Sequence, residues 1–145
     1  MNDLVQEHLE NCDVLVMSAA VGDFAAETLE KEKIKKQGDA GLVLKLVPTK
    51  DILLDVAKRN LDKLVVGFAA ESQNLLDSAL EKLKKKNLDL IVANEISAPG
   101  IGFQSDSNQV TIIDREENIE NLPLKPKREI ADHLLDRILS RLKHS

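Results

Sequence analysis

Three lysines in four residues, Lys33-Ile34-Lys35-Lys36, fall in a stretch with neither helical nor alternating periodicity. Lysines are mobile point charges, and a loop that carries several can close over a polyphosphate and follow charge developing on a leaving group. A solvated charged loop accounts for the same run. A second cluster, Lys82, Lys84, Lys85 and Lys86, ends a helical pattern. Lys82 and Lys86 are four apart and share one helix face, which suits a phosphate. The helix macrodipole alone also favours cations at that end. Asp23 follows Ser18-Ala19-Ala20-Val21-Gly22. A carboxylate there could accept hydrogen bonds from a base amino group or a sugar, bind a metal, or hold a turn. Asp51 sits in the first turn of a helical segment, where a carboxylate is favoured in any case. Phe68 offers a wall for a nucleobase or an ordinary core ring, and Asn94 an amide for a ligand or for its own loop. His8, His133 and His144 lie on helical segments with no partner visible in the pattern. The chain has no Ser/His/Asp arrangement, no metal-ligand spacing, no Walker loop and no G-x-G-x-x-G.

The elements that must position these groups centre on Lys63 to Asn94. Leu64, Val65, Val66 and Phe68 form a short apolar run that stops in Ala69-Ala70. Leu75, Leu76, Ala79, Leu80 and Leu83 then recur at helical spacing, and Leu88 to Ala93 form a second apolar run. Two such runs joined by a helix predict a βαβ crossover and a parallel sheet. Parallel sheets bind ligands beyond the carboxyl ends of their strands, here Gly67 to Glu71 and Asn94 to Ser97. Upstream, Leu4, Val5 and Leu9 predict a helix and Val14 to Met17 a buried strand. That strand ends in small residues, Ser18-Ala19-Ala20, which permit close approach of a ligand. A polar, poorly periodic stretch runs on to Gln37. Leu42, Leu44 and Leu46 alternate and predict a strand, and Pro48-Thr49 a helix start with Thr49 as N-cap. Glu95 to Ser107 reads as a loop long enough to be functional. Val110 to Ile113 predict a strand, Leu122 and Leu124 a short edge strand. Arg128 to Leu142 predict an amphipathic helix with Ile130, Leu134, Leu135, Ile138, Leu139 and Leu142 on one side.

The bulk properties exclude several classes. The 145 residues are enough for one domain with a core, and no repeat or second domain is visible. Aromatics are 2%, with no Trp or Tyr, so the core is aliphatic, and the composition argues against a base-stacking platform for single strands. The net charge of −5 argues against a general nucleic-acid binder. The one cysteine, Cys12, forms no internal disulfide, and a cytoplasmic location is expected. No stretch is long and apolar enough to span a bilayer.

Four segments together resemble the bacterial phosphopantothenate–cysteine ligases. They are Ser18-Ala19-Ala20-Val21-Gly22-Asp23-Phe24, Lys33 to Lys36, Val66-Gly67-Phe68-Ala69-Ala70-Glu71, and Lys82 through Lys86-Asn87 to Asn94. Gly102-Phe103, Asp106 and Asn108 follow the same pattern. The resemblance covers essentially the whole chain, in order. It implies a three-layer Rossmann-like α/β fold with a mostly parallel sheet and a small β extension for dimerisation. It also implies that CTP, with Mg2+, activates 4′-phosphopantothenate as an acyl-cytidylate, and that L-cysteine then attacks to give 4′-phosphopantothenoylcysteine. By the same resemblance Met17, Ser18 and Ala19 line the nucleotide site and Asp23 meets the cytosine–ribose end. Lys33 is the lid lysine that supports turnover. Lys50, Asp51, Ile52 and Leu53 present a helix start to the nucleotide, Phe68 packs on it, and Lys82 and Lys86 hold the triphosphate. A homodimer is implied, and a decarboxylase domain in the longer protein. Gly22, Phe24 and Lys50 stand where Ala, Tyr and Pro are common in the family. The leading strand and Gly-rich segment of the family domain have no counterpart before Met1, so the chain resembles the C-terminal part of that domain. Two other readings remain: an NAD(P)-binding Rossmann-like domain, which the missing glycine fingerprint disfavours, and a non-catalytic dimerisation module.

Overall fold

The computed structural model describes all residues except 36, 37, 39, 40, 72, 73, 96–104, 144 and 145. They fall into two units, Met1–Ala19 with Ile52–Ser145, and Ala20–Asp51.

In the first unit the chain runs through α1 (Asn2–His8), a 3-10 turn (Leu9–Asn11) and β1 (Val14–Met17), and resumes at α2 (Ile52–Lys58). The crossover follows as β4 (Leu64–Glu71), α3 (Leu75–Lys85) and β5 (Leu90–Glu95). Then come β6 (Ser107–Asp114), β7 (Ile119–Pro126) and α4 (Lys127–Leu142); β2 (Phe24–Ala26) and β3 (Leu46–Pro48) belong to the second unit. The five strands are ordered β1-β4-β5-β6-β7. The β1–β4 and β4–β5 pairings are parallel, and β5–β6 and β6–β7 antiparallel. Four strands therefore point one way and β6 alone runs back, which gives the mostly parallel sheet expected.

Alternation along each strand divides the core into two faces. Val65, Ala69, Ile91, Ala93 and Ile113 face one side, where Leu53, Val56, Ala79 and Leu83 of α2 and α3 cover them with Leu9. Leu64, Val66, Leu90, Val92, Val110 and Ile112 face the other, against Ile130, Leu134 and Ile138 of α4. The result is three layers. Gly67 lies on the α2–α3 side because a Cβ there would stand 2.6 Å from Leu88 Cδ1 and 3.5 Å from Leu53 Cδ1. Asn60 and Asn87, just past α2 and α3, adopt positive φ of 47° and 48°. Asparagine tolerates this left-handed turn, which ends a helix.

Two of the sequence expectations for this unit change. Leu135, Leu139 and Leu142 are not part of the buried stripe of α4 but lie exposed. The stripe narrows to one residue in four, and the shoulder beside it has no layer to pack on. The edge strand expected around Leu122 is longer than the sequence suggests, because it pairs along most of β6.

The second unit holds a two-stranded antiparallel ribbon of β2 (Phe24–Ala26) and β3 (Leu46–Pro48). The strand expected from Leu42 begins only at Leu46. Leu42, Val43 and Leu44 are exposed, so their alternation has no buried face to reward it. Thr49 is not a helix cap. Its hydroxyl donates to the Gly22 carbonyl at 2.6 Å and its N–H to the Asp23 carbonyl at 2.9 Å, closing the ribbon. The helix that follows starts at Ile52. β2 was not expected at all.

Candidate functional site

Met17 is the last residue of β1 and pairs with Gly67, so Ser18 and Ala19 leave the sheet beside Phe68 and Ala69. Both are exposed. Phe68 stands on the α4 side of the sheet, two residues beyond the fully buried Val66. Because α4 lies over β6 and β7, its cover thins toward β1. Phe68 keeps 38% of its surface and Val16, opposite Val66 in register, keeps 42%. Asn94 ends the row, paired with Ala70 on one side and Val110 on the other. On the α4 face the carboxyl end of the parallel strands thus presents Val16, Phe68, Ala70 and Asn94, none of them charged, while β4 and β5 themselves end in Glu71 and Glu95. Ile52 and Leu53 have side chains buried in the core, so only their backbone is placed to meet a ligand.

The opposite end of the same strands is densely charged. A cleft of about 290 Å³ there is lined by Val65, Lys63, Lys86, Asn87, Asp89 and Arg115, among others. Asp89 accepts from the Val65 N–H at 2.7 Å and pairs with Arg115 at 3.0 Å. Lys63 donates to the Glu10 carbonyl, and Lys84 pairs with Glu117 at 2.7 Å. Lys86 lines this cleft, while Phe68 lies three residues, about 10 Å, further along β4 than Val65. Within one chain Lys86 thus stands away from Phe68, and Lys82 is the turn of α3 before it. The expectation that these lysines converge with Phe68 does not hold for Lys86. The physical reason is that a crossover helix starts at the carboxyl end of one strand and returns to the amino end of the next.

Next to this cleft the tip of the β6–β7 hairpin is clamped to α4. Asp114 is 3% exposed. It accepts from the Asn118 N–H at 2.8 Å and side chain at 3.1 Å, and pairs with Arg141 at 3.0 Å. Burial pushes its carboxyl up, but the Asn118 hydrogen bonds and the Arg141 guanidinium outweigh this and hold it below the ordinary value. The hydrogen bond from Arg141 likewise lowers Glu116. Arg137 bridges Asp114 and Glu120, and His133 meets Glu120 at 2.9 Å. His133 therefore has a partner that the sequence did not reveal. Its signal was the four-residue spacing of His133, Arg137 and Arg141, which sets all three on one flank of α4.

In the second unit Asp23 and Lys50 are exposed at the same end of the ribbon, where Phe24 pairs with Pro48, Asp51 follows, and Lys33 is exposed with Lys35. Lys36, Gly102, Phe103 and most of the expected functional loop lie outside the described residues. Among the described residues no group of three His, Cys, Asp or Glu could hold a metal ion, and no helix is long and apolar enough to cross a membrane.

Comparison with known proteins adds four findings. Residues 1–142 match the family described as "DNA/pantothenate metabolism flavoprotein C-terminal domain". The "Coenzyme A biosynthesis bifunctional protein CoaBC" of Bacillus subtilis is 39% identical over 138 residues, covering 95% of this chain and 34% of that protein. A "Cysteine/Cysteine sulfinic acid decarboxylase" from an unknown prokaryotic organism is 40% identical over 141 residues, covering 97% and 39%. The chain thus spans little more than a third of the curated relatives it matches. Among solved structures, the C-terminal domain of CoaBC superposes with a TM-score of 0.80 at 30% identity, over 99% of this chain and 62% of that one.

Proposed function

The chain belongs to the DNA/pantothenate metabolism flavoprotein C-terminal domain family, and from that premise we propose that it is the nucleotide-binding part of a CTP-dependent phosphopantothenate–cysteine ligase of coenzyme A biosynthesis. The carboxylate of 4′-phosphopantothenate attacks the α-phosphorus of CTP, releasing pyrophosphate and leaving an acyl-cytidylate. The amine of L-cysteine then attacks the acyl carbon, releasing CMP. The observation that carries this reading is the carboxyl end of β1 and β4, where Phe68 stands half-exposed beside the small residues Ser18 and Ala19.

In this reading Met17, Ser18 and Ala19 line the nucleotide and Phe68 packs on it. Asp23 meets the cytosine–ribose end, and Lys33 neutralises charge as the acyl-cytidylate turns over. The backbone at Ile52 and Leu53 faces phosphate. Lys86, at the far end of the sheet, is left out of the site of its own chain. Mg2+ would arrive with the triphosphate, since this ion is commonly held by substrate phosphates and one or two carboxylates rather than by a protein cage. Its chemistry would be to neutralise the leaving pyrophosphate. A cytoplasmic homodimer joined to a decarboxylase domain completes the proposal.

Calorimetry with CTP and with ATP, each with Mg2+, tests it. The expected result is CTP binding at least about tenfold tighter, a difference near 1.4 kcal/mol. Equal binding of the two, or none, overturns the reading. In a ligase carrying the whole domain, Lys33→Gln should slow amide formation more than pyrophosphate release; wild-type rates for both would remove the lid role.

A further inference from the structure

We infer that Asn94 reads the polar edge of the nucleobase, a role that rests on the nucleotide reading above and adds a recognition residue to it. Three observations carry the inference. The first is placement. Asn94 pairs with Ala70, two residues beyond Phe68 on the same face of β4. Its register with the buried Val110 puts it on that face from the other side as well. Phe68 and Asn94, on neighbouring strands and two residues apart in register, are separated by about 8 Å, close enough for one pyrimidine to meet both.

The second observation is chemical. Asn94 is only part-exposed, yet among the described residues its side-chain amide takes part in no hydrogen bond. Half-buried amides normally find partners, because an unmet donor or acceptor away from water costs free energy. Asp114 and Asn121 in the same sheet, and Asp89 and Asn118 beside it, all take part in side-chain hydrogen bonds within the protein. Asn94 offers a donor and an acceptor side by side, which matches the paired acceptor and donor on a base edge.

The third observation is the charge of the surroundings. Val16, Phe68 and Ala70 are uncharged, so this row suits a flat neutral group and not a polyphosphate. The base and the phosphates of one nucleotide then occupy different places, with Asn94 at the base end.

The test uses calorimetry of the 145-residue protein with two probes, CTP and inorganic triphosphate, both with Mg2+. Asn94→Ala should weaken CTP about tenfold, the value of one to two net hydrogen bonds, and leave triphosphate unchanged. Asn94→Asp keeps the shape but removes the donor, and should weaken CTP in the same way, so a folding defect in one variant does not decide the outcome. Wild-type CTP affinity in both variants overturns the role of Asn94 and leaves the nucleotide reading standing. Equal losses for CTP and triphosphate also overturn it, since the amide then does not distinguish base from phosphate. Absence of CTP binding by the unaltered protein overturns both.

Discussion

At the amino end of β4 and β5 the charges answer one another. Asp89 holds Arg115 and the Val65 N–H, Lys84 holds Glu117, and Asp114 gathers Asn118, Arg137 and Arg141. At the carboxyl end of the same strands Phe68 and Val16 are half-exposed and the Asn94 amide has no protein partner among the described residues. Polar groups that satisfy each other fix the hairpin and the helix ends but have little left for a ligand. Groups left unmet cost stability, and they persist where a ligand meets them. Charge density alone would favour the amino end, but Lys63 and Arg115 of the cleft there are already engaged within the protein.

The sharpest way to break this contrast is to disturb the layer both ends share. Gly67→Val places side-chain atoms where Leu88 and Leu53 already stand, and should cost about 3 kcal/mol or prevent folding, with Gly67→Ala costing about 1–3 kcal/mol. Urea midpoints read this, and unchanged midpoints would show the α2–α3 face to be loosely packed. Next in size, Asp114→Ala should destabilise by about 1–3 kcal/mol at neutral pH, because the Asn118 donors and two guanidinium groups lose their acceptor. The folded carboxyl lies below its ordinary value, so its contribution is complete above that value, near pH 4, and is lost as pH falls through the folded value. The gap between wild type and variant should therefore close below about pH 4. A gap that stays constant down to pH 2 would mean that shape, not charge, is what Asp114 supplies. Smallest of the three, Lys84→Ala removes an exposed pair with Glu117 and should change stability by less than about 1 kcal/mol. A larger loss would give the lysine cluster a structural weight that exposed pairs rarely have.

Much of the architecture was legible from periodicity. The run from Leu64, the helix through Leu83 and the run to Ala93 gave β4, α3 and β5 in the right order, because burial on both faces leaves an unmistakable apolar signature. The ribbon was not legible. Phe24–Ala26 is three residues long, and Leu42 to Leu44 alternate without a core to face. Thr49 carried the chemistry of a cap but spends its hydroxyl on Gly22 across the ribbon, a contact between residues 27 apart in sequence. Of the proposed site, the placement at strand ends could be read in advance: Met17-Ser18-Ala19 and Phe68 stand there, as the apolar runs that stop in small residues implied. The grouping of Lys86 with Phe68 failed because spacing along a helix tells which face a lysine shares and not which end of the sheet that face has reached. The unmet amide of Asn94 emerged only from the register of three strands.

The central claim is that the nucleotide meets the carboxyl end of the sheet and not the lysine-rich end. It is tested most directly by measuring CTP affinity, with Mg2+, for Phe68→Ala and Lys86→Ala beside the unaltered protein. The account predicts a loss of about tenfold or more for Phe68→Ala, as expected when an aromatic face leaves a base, and no change for Lys86→Ala. Affinity lost in Lys86→Ala and kept in Phe68→Ala would contradict it.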